Sequence, residues 1–185
     1  MRYAQIRSMD ISNGEGVGVS LFVQGCDRHC FNCFNSETWD FNGGKEWTEE
    51  AKNKFMELID RPYIRRISVL GGEPLAEQSL DEVLSLIKEI RISYPEKTIW
   101  LYTGFEWNSL MSKICQPTFP DKDFERIIEI HKKRKEIISN VDVLVDGEYI
   151  DEQKDLTLKW CGSRNQHVID VKQSIAQNKM VLYCD

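Results

Sequence analysis

The sequence predicts an α/β fold in which short parallel strands alternate with helices. Two observations carry that prediction. Apolar, β-rich runs alternate with segments whose apolar residues recur every three to four positions, the pattern of strand–helix–strand units. The polar and glycine-rich segments fall directly after the strands. In parallel α/β folds the carboxyl ends of the strands converge on one functional face, so a single site built from those loops is expected.

The elements follow in order. Residues 17–23 (VGVSLFV) form a short apolar strand. Residues 48–59 read as a helix: Thr48 can cap it, Glu49 and Glu50 suit its positive end, and Phe55, Leu58 and Ile59 make one stripe. Residues 66–70 (RISVL) read as a buried strand. Residues 79–91 are the clearest helix. Ser79 and Glu82 have capping-box spacing, and Leu80, Val83, Leu84, Ile87 and Ile90 share a face. Residues 98–102 (TIWLY) form the next strand, and residues 114–122, with Pro117 and Pro120, a loop. Residues 123–137 are helical, with basic residues from Lys132 to Lys135 near the negative end. Residues 141–145 (VDVLV) form a strand and residues 167–171 (HVIDV) one more. After the first four strands come, in turn, a cysteine-rich loop, GGEP at 71–74, TGF at 103–105, and Asp146 with Gly147.

The 185 residues, 41% hydrophobic and 29% charged, suit one globular domain over 1–185 with a sizeable core. The net charge of -6 argues against a nucleic-acid footprint. No apolar run is long enough to span a bilayer, and the start, MRYAQIRSMD, lacks the apolar stretch of a signal peptide. A cytoplasmic protein is therefore expected, with reduced thiols, no membrane and no nucleic-acid partner. Six cysteines in that compartment point to metal or catalysis more than to disulfides. The chain shows no internal repeat, low-complexity segment or clear linker.

GCDRHCFNC, residues 25–33, spaces Cys26, Cys30 and Cys33 as C-x3-C-x2-C. A structural zinc site usually takes four protein ligands, and only three cysteines cluster here. Cys115, Cys161 and Cys184 would supply a fourth only through folding. His29 adjoins Cys30, and neighbouring residues rarely reach one metal. An iron–sulfur cluster held by three thiolates fits the spacing and leaves one iron open to another ligand. Gly71, Gly72, Glu73 and Pro74 read alone as a plain turn. Their place after a buried strand, following the cysteine loop, favours a ligand loop, where the two glycines let backbone approach closely. In VDVLVDG, alternation puts Asp142, Leu144 and Asp146 on one face and Val141, Val143 and Val145 on the other. With the valines against helices, the carboxylates would face the interior and Asp146 would stand near a cofactor. An edge strand with solvated aspartates is the competing reading.

The cysteine loop after the first strand and GGEP after the second resemble the radical S-adenosylmethionine superfamily. VSLFVQGCDRHCFNCFNSETWDFNGG, LGGEPL, WLYTGFEW, VDVLVDGEY and GSRNQHVIDV, in order over nearly the whole chain, resemble the anaerobic ribonucleotide reductase activating family within it. The resemblance implies that Cys26, Cys30 and Cys33 bind three irons of a [4Fe–4S] cluster, with S-adenosyl-L-methionine chelating the fourth. It implies cofactor contacts at Asn32, Cys33, Phe34, Gly71, Gly72, Glu73 and Asp146, with the side chain of Glu73 bracing its loop. It implies one-electron cleavage of the sulfonium to methionine and a 5′-deoxyadenosyl radical, which takes a hydrogen atom from a glycine of the partner. The implied partners are anaerobic ribonucleoside-triphosphate reductase, whose glycine loop is the substrate, and reduced flavodoxin or a similar donor. The cofactor carries the hard chemistry while the protein orients it.

The chain departs from its relatives at three places. Many superfamily members carry an aromatic residue just before the last cysteine, where Asn32 stands here; Asn32, Cys33 and Phe34 would then meet the cofactor mainly through backbone. Asn13-Gly14-Glu15-Gly16 stands where glycyl-radical activating enzymes often carry Asp-Gly-Pro-Gly. Cys161 stands where a basic residue is expected. Asn165, Gln166, Thr103 and Gly104 read equally as site residues and as ordinary loop residues. His131 reads as solvated and His167 as a strand residue. Trp39, Trp47, Trp100, Trp107 and Trp160 read as core or interface more than cofactor contacts. The chain is short for an eight-fold barrel of roughly 250 residues, so the expected fold is a partial open (βα) barrel of the compact radical SAM type. Its open side suits a large partner. Three alternatives stay open: an activating enzyme for another glycyl-radical protein such as a formate-lyase, a small-molecule radical SAM synthase, and a non-enzymatic metal or electron-transfer module with a fourth protein ligand.

Overall fold

The structure, a computed structural model, describes residues 1–114 and 122–184. It is a mixed α/β fold: a seven-stranded sheet with, among the described residues, five α-helices. The strands are β1 (Arg2–Asp10), β2 (Gly18–Val23), β3 (Lys45–Glu46), β4 (Arg66–Gly71), β5 (Thr98–Tyr102), β6 (Val143–Asp146) and β7 (His167–Asp170). The helices are α1 (Glu49–Ile59), α2 (Leu80–Ser93), α3 (Trp107–Met111), α4 (Lys122–Ser139) and α5 (Val171–Gln177). The sheet order is β3-β1-β2-β4-β5-β6-β7.

The centre of the sheet is parallel as expected: β2, β4, β5 and β6 run together. Its edges are not. β1 is antiparallel to β2, β3 to β1, and β7 to β6. The expectation of parallel units throughout is thus corrected at β7. The chain between β6 and β7 holds only a 3-10 turn, Asp151–Gln153, and not the helix that usually carries a parallel crossover. β1 is absent from the sequence reading because its residues are mostly half-buried or exposed, so RYAQIRSMD lacks a clean apolar alternation.

Thr48 caps α1, its side chain accepting the Ala51 N–H at 3.3 Å, and Phe55, Leu58 and Ile59 are buried. The capping box at Ser79 does not form. Ser79 ends a 3-10 turn and makes no side-chain cap bond, while Glu82 pairs with the chain's N-terminal ammonium. The basic run of α4 also has another use than the dipole. The helix continues past it to Ser139, Lys133 pairs with Asp81 at 2.7 Å, and Arg134 donates to the Leu75 carbonyl at 3.0 Å. Of the expected loop at 114–122, residues 115–121 with Cys115 lie outside the described residues, and Lys122 already begins α4.

The two faces of the sheet differ. Leu21, Val69, Leu101, Leu144 and Ile169 point to one side and pack with helix residues such as Phe55, Ile87, Leu110 and Ile138 in the main core. Trp100, Val143, Val145 and Val168 point to the other and form a smaller cluster with Tyr102, Trp160, Cys161 and Tyr183. This reverses the expected faces of β6. Val143 and Val145 stand on the helix-free side and Asp142, Leu144 and Asp146 on the helix side, while Val141, before the strand, packs in the main core. Packing at the main core is decided by Leu144, which is fully buried there.

The base of the helix-free face is closed by Arg66. It is fully buried, donates to the carbonyl of Asp10 at 2.6 Å, bonds Ser68 and the Asn13 carbonyl, and lies 3.6 Å from the Asp10 carboxylate. Gly14 must be small here: a Cβ would come within 2.5 Å of Arg66 and 2.7 Å of Trp100.

Candidate functional site

Above that closed base, at the carboxyl ends of the parallel strands, lies a cavity of about 580 Å³. Cys26, Cys30 and Cys33 all line it, and all three thiols are free. Their loop leaves β2 and returns to the same strand end. The Gly25 and Cys26 N–H groups donate to the Thr38 and Trp39 carbonyls at 2.7 and 3.0 Å, and Gln24 donates to the Asp40 carbonyl at 2.8 Å. Left-handed backbone at His29 (φ 48) and Asn32 (φ 55) turns the chain sharply between the cysteines. Histidine and asparagine tolerate that region better than most residues.

Gly71 and Gly72 line the same cavity, yet their close contacts are with the chain itself. A Cβ on Gly72 would come 2.3 Å from the Gly25 carbonyl oxygen, and one on Gly71 2.7 Å from Phe22 Cα. The missing side chains thus let the turn after β4 press onto the root of the cysteine loop, where Glu73 N–H donates to Gly25 O at 2.8 Å. Glu73 is buried. Its carboxylate accepts from Thr103 Oγ1 at 2.7 Å, Leu75 N at 2.9 Å and Gly104 N at 2.8 Å. Burial pushes its pKa up against those bonds and the nearby Arg28. Glu73 therefore braces the loops after β4 and β5, and Thr103 and Gly104 are its partners.

Asp146 behaves differently from the expectation. It is 1% exposed, is absent from the cavity wall, and accepts from Trp107 N at 2.7 Å and from His167 N and Nδ1 at 3.0 Å. Its neighbours Gly147, Glu148 and Tyr149 line the cavity in its place. Asn32 and Phe34 reach the segment after β6: the Asn32 amide donates to Asp151 at 3.0 Å, and the Phe34 ring lies 5.2 Å from Tyr149. Gln166, also on the wall, donates to the Gly147 carbonyl at 2.9 Å, and Asn165 to the Glu148 carbonyl at 2.8 Å. Both hold that segment in place. Trp100, Trp107 and Trp47 join the core as expected; Trp160 packs on the smaller cluster and also lines the cavity, and Trp39 lines it too. His29 stacks on Trp39 at 4.7 Å. Sequence reasoning missed Arg28, Tyr149 and Trp160. Only Arg28, a charge inside the cysteine loop, carried a visible signal.

The donor set suits an iron–sulfur cluster: three free thiols of one loop line a cavity of about 580 Å³. Burial pushes the Cys26 and Cys30 thiols up, so metal binding there would displace protons.

Comparison with known proteins gives the class first. A family model described as a 4Fe-4S single cluster domain matches residues 12–169, so the class is an iron–sulfur cluster protein. Curated relatives define it further. The chain is 34% identical over 170 residues to the anaerobic ribonucleoside-triphosphate reductase-activating protein of Salmonella typhi, covering 91% of this chain and 97% of that one. It is 33% identical over 168 residues to the protein of that name from Vibrio cholerae, covering 90% and 96%, and 32% identical over 170 residues to that of Escherichia coli, covering 91% and 97%. The chain belongs to the anaerobic ribonucleoside-triphosphate reductase-activating protein family.

Proposed function

We propose that this protein activates an anaerobic ribonucleoside-triphosphate reductase by generating its glycyl radical. The observation that carries the reading is that three free cysteines of one loop share a cavity with the Gly71–Gly72–Glu73 turn. Cys26, Cys30 and Cys33 would hold the [4Fe–4S] cluster. The backbone at Asn32, Cys33, Phe34, Gly71 and Gly72 would hold S-adenosyl-L-methionine, with Glu73 bracing the wall. Asp146 would act one step removed, by fixing the segment that carries Gly147 and Glu148. When bound, the two groups would supply one-electron reductive cleavage of the sulfonium, with methionine as the leaving product and the hydrogen-abstracting power needed at the partner's glycine.

The chain's own contribution is to orient and to enclose. The helix-free face, closed at its base by Arg66, suits an open partial (βα) barrel of the compact radical SAM type. Its mouth would admit the glycine loop while the partner excludes water. Residues 1–185 would work as one domain in the cytoplasm, with reduced flavodoxin or a similar protein as donor. Among the described residues no helix is long and apolar enough to cross a membrane.

The test is anaerobic. The reconstituted, reduced protein is mixed with S-adenosylmethionine, with and without the reductase, and followed by EPR and 5′-deoxyadenosine release. A glycyl doublet on the reductase is the expected result. Cleavage without that doublet would assign another substrate, and bound zinc with no cleavage would sink the reading.

A further inference from the structure

Arg28 lies between Cys26 and Cys30 and reaches the loops that follow three other strands. Its guanidinium pairs with Glu148 after β6, and its Nε lies 3.4 Å from Glu73 Oε2 after β4. Its Cζ stands 4.1 Å over the ring of Phe105, after β5. Arg134 of α4 stacks on the same ring at 4.0 Å. Gly104 leaves room for this: a Cβ there would come 2.2 Å from Arg28 Cδ. The Arg28 side chain is 16% exposed and Glu73 1%, so that pair is shielded from water, while Glu148 is half-exposed. A planar guanidinium can face two carboxylates and stack on a ring at once; a lysine ammonium cannot.

We propose that Arg28 is a positioning residue that locks the Cys26–Cys33 loop against the Gly71–Glu73 turn. It thereby sets where the cofactor lies relative to the cluster and how readily the cluster takes up an electron. This rests on the cluster-and-cofactor reading of the cavity. The loop after β2 carries the ligands, the turn after β4 carries the cofactor contacts, and Arg28 joins the two through an already braced Glu73. Its charge also stands between Glu73 and Glu148. Removing it takes a positive charge from between two carboxylates beside a centre that must gain an electron, which makes reduction harder.

The test uses the full, reconstituted chain and the variants Arg28→Ala and Arg28→Lys. Iron and sulfide content and thermal unfolding report the fold. EPR-monitored titration gives the midpoint potential, and equilibrium dialysis gives the Kd for S-adenosylmethionine. Arg28→Ala is expected to keep its cluster, show a more negative midpoint and bind the cofactor at least tenfold more weakly. Arg28→Lys is expected to recover the midpoint but not the affinity. Wild-type values of both quantities in Arg28→Ala would overturn the proposal. Should that variant lose its cluster, Arg28→Lys decides: weakened affinity at a normal midpoint supports the role, and normal affinity removes it. A wild-type protein that bound no S-adenosylmethionine would instead refute the functional reading itself.

Discussion

At the scale of single residues, the cavity depends on three thiols of one loop and on glycines that nothing larger can replace. Replacing Cys26, Cys30 or Cys33 by serine should each remove bound iron after anaerobic reconstitution, because each thiolate would hold one iron of the cluster. An iron content equal to wild type in any one of them would exclude that cysteine as a ligand. Gly72 makes a different prediction. Its missing Cβ faces a backbone oxygen at 2.3 Å, which cannot rotate aside as a side-chain tip can. Gly72→Ala should cost about 2–4 kcal/mol and lower Tm by roughly 4–16 °C. An unchanged melting curve would mean that the cysteine loop yields more easily than its hydrogen bonds imply. The sequence made Gly71 and Gly72 visible as a close-approach site. It did not reveal that the approach is to Gly25, because that contact joins two loops 47 positions apart.

At the scale of elements, β6 shows what alternation can and cannot decide. The period of two grouped Asp142, Leu144 and Asp146 correctly, but it is silent about which face meets the helices. Leu144 packs in the helix-side core, and both aspartates find partners there. Asp142 accepts from Arg91 at 2.6 Å, Lys172 at 2.6 Å and Ile99 N at 2.8 Å. Burial pushes its carboxyl up, but the bonds from Arg91 and Lys172 outweigh that and hold it below the ordinary carboxylate range. A depressed folded-state pKa gives stability that is present above the unfolded-state value, near 4, and lost as pH falls through the lower folded value. Asp142→Asn should therefore destabilise the protein at neutral pH and flatten the loss of stability below about pH 4. Urea midpoints of both proteins across that range measure it. Parallel curves would show that Asp142 contributes nothing to acid unfolding.

At the scale of the whole molecule, helices α1 to α5 cover one face and leave the other to a cavity with a polar seal at its base. That seal is Arg66 with Asp10, Ser68 and the Asn13 carbonyl. Arg66→Ala would leave the 1%-exposed Asp10 carboxylate without its cation. Breaking a buried pair from one side costs about 3–5 kcal/mol, so the urea midpoint should fall sharply. A midpoint within error of wild type would show that solvent or Arg7, 3.9 Å from the same carboxylate, takes over.

The sequence by itself determined the parallel centre, the helices at α1, α2 and α4, and the cysteine and glycine loops as parts of one site. These are local: apolar periodicity, caps and residue spacing act within a dozen positions, and strand-end placement follows from chain direction alone. The tertiary structure decided the antiparallel edges, the reversed face of β6, the withdrawal of Asp146 to a bracing position and the reach of Arg28 across three loops. Each of these depends on contacts between segments far apart in the chain. There, packing at Leu144, the steric limit at Gly104 and the pairing of buried charges override what any short stretch favours.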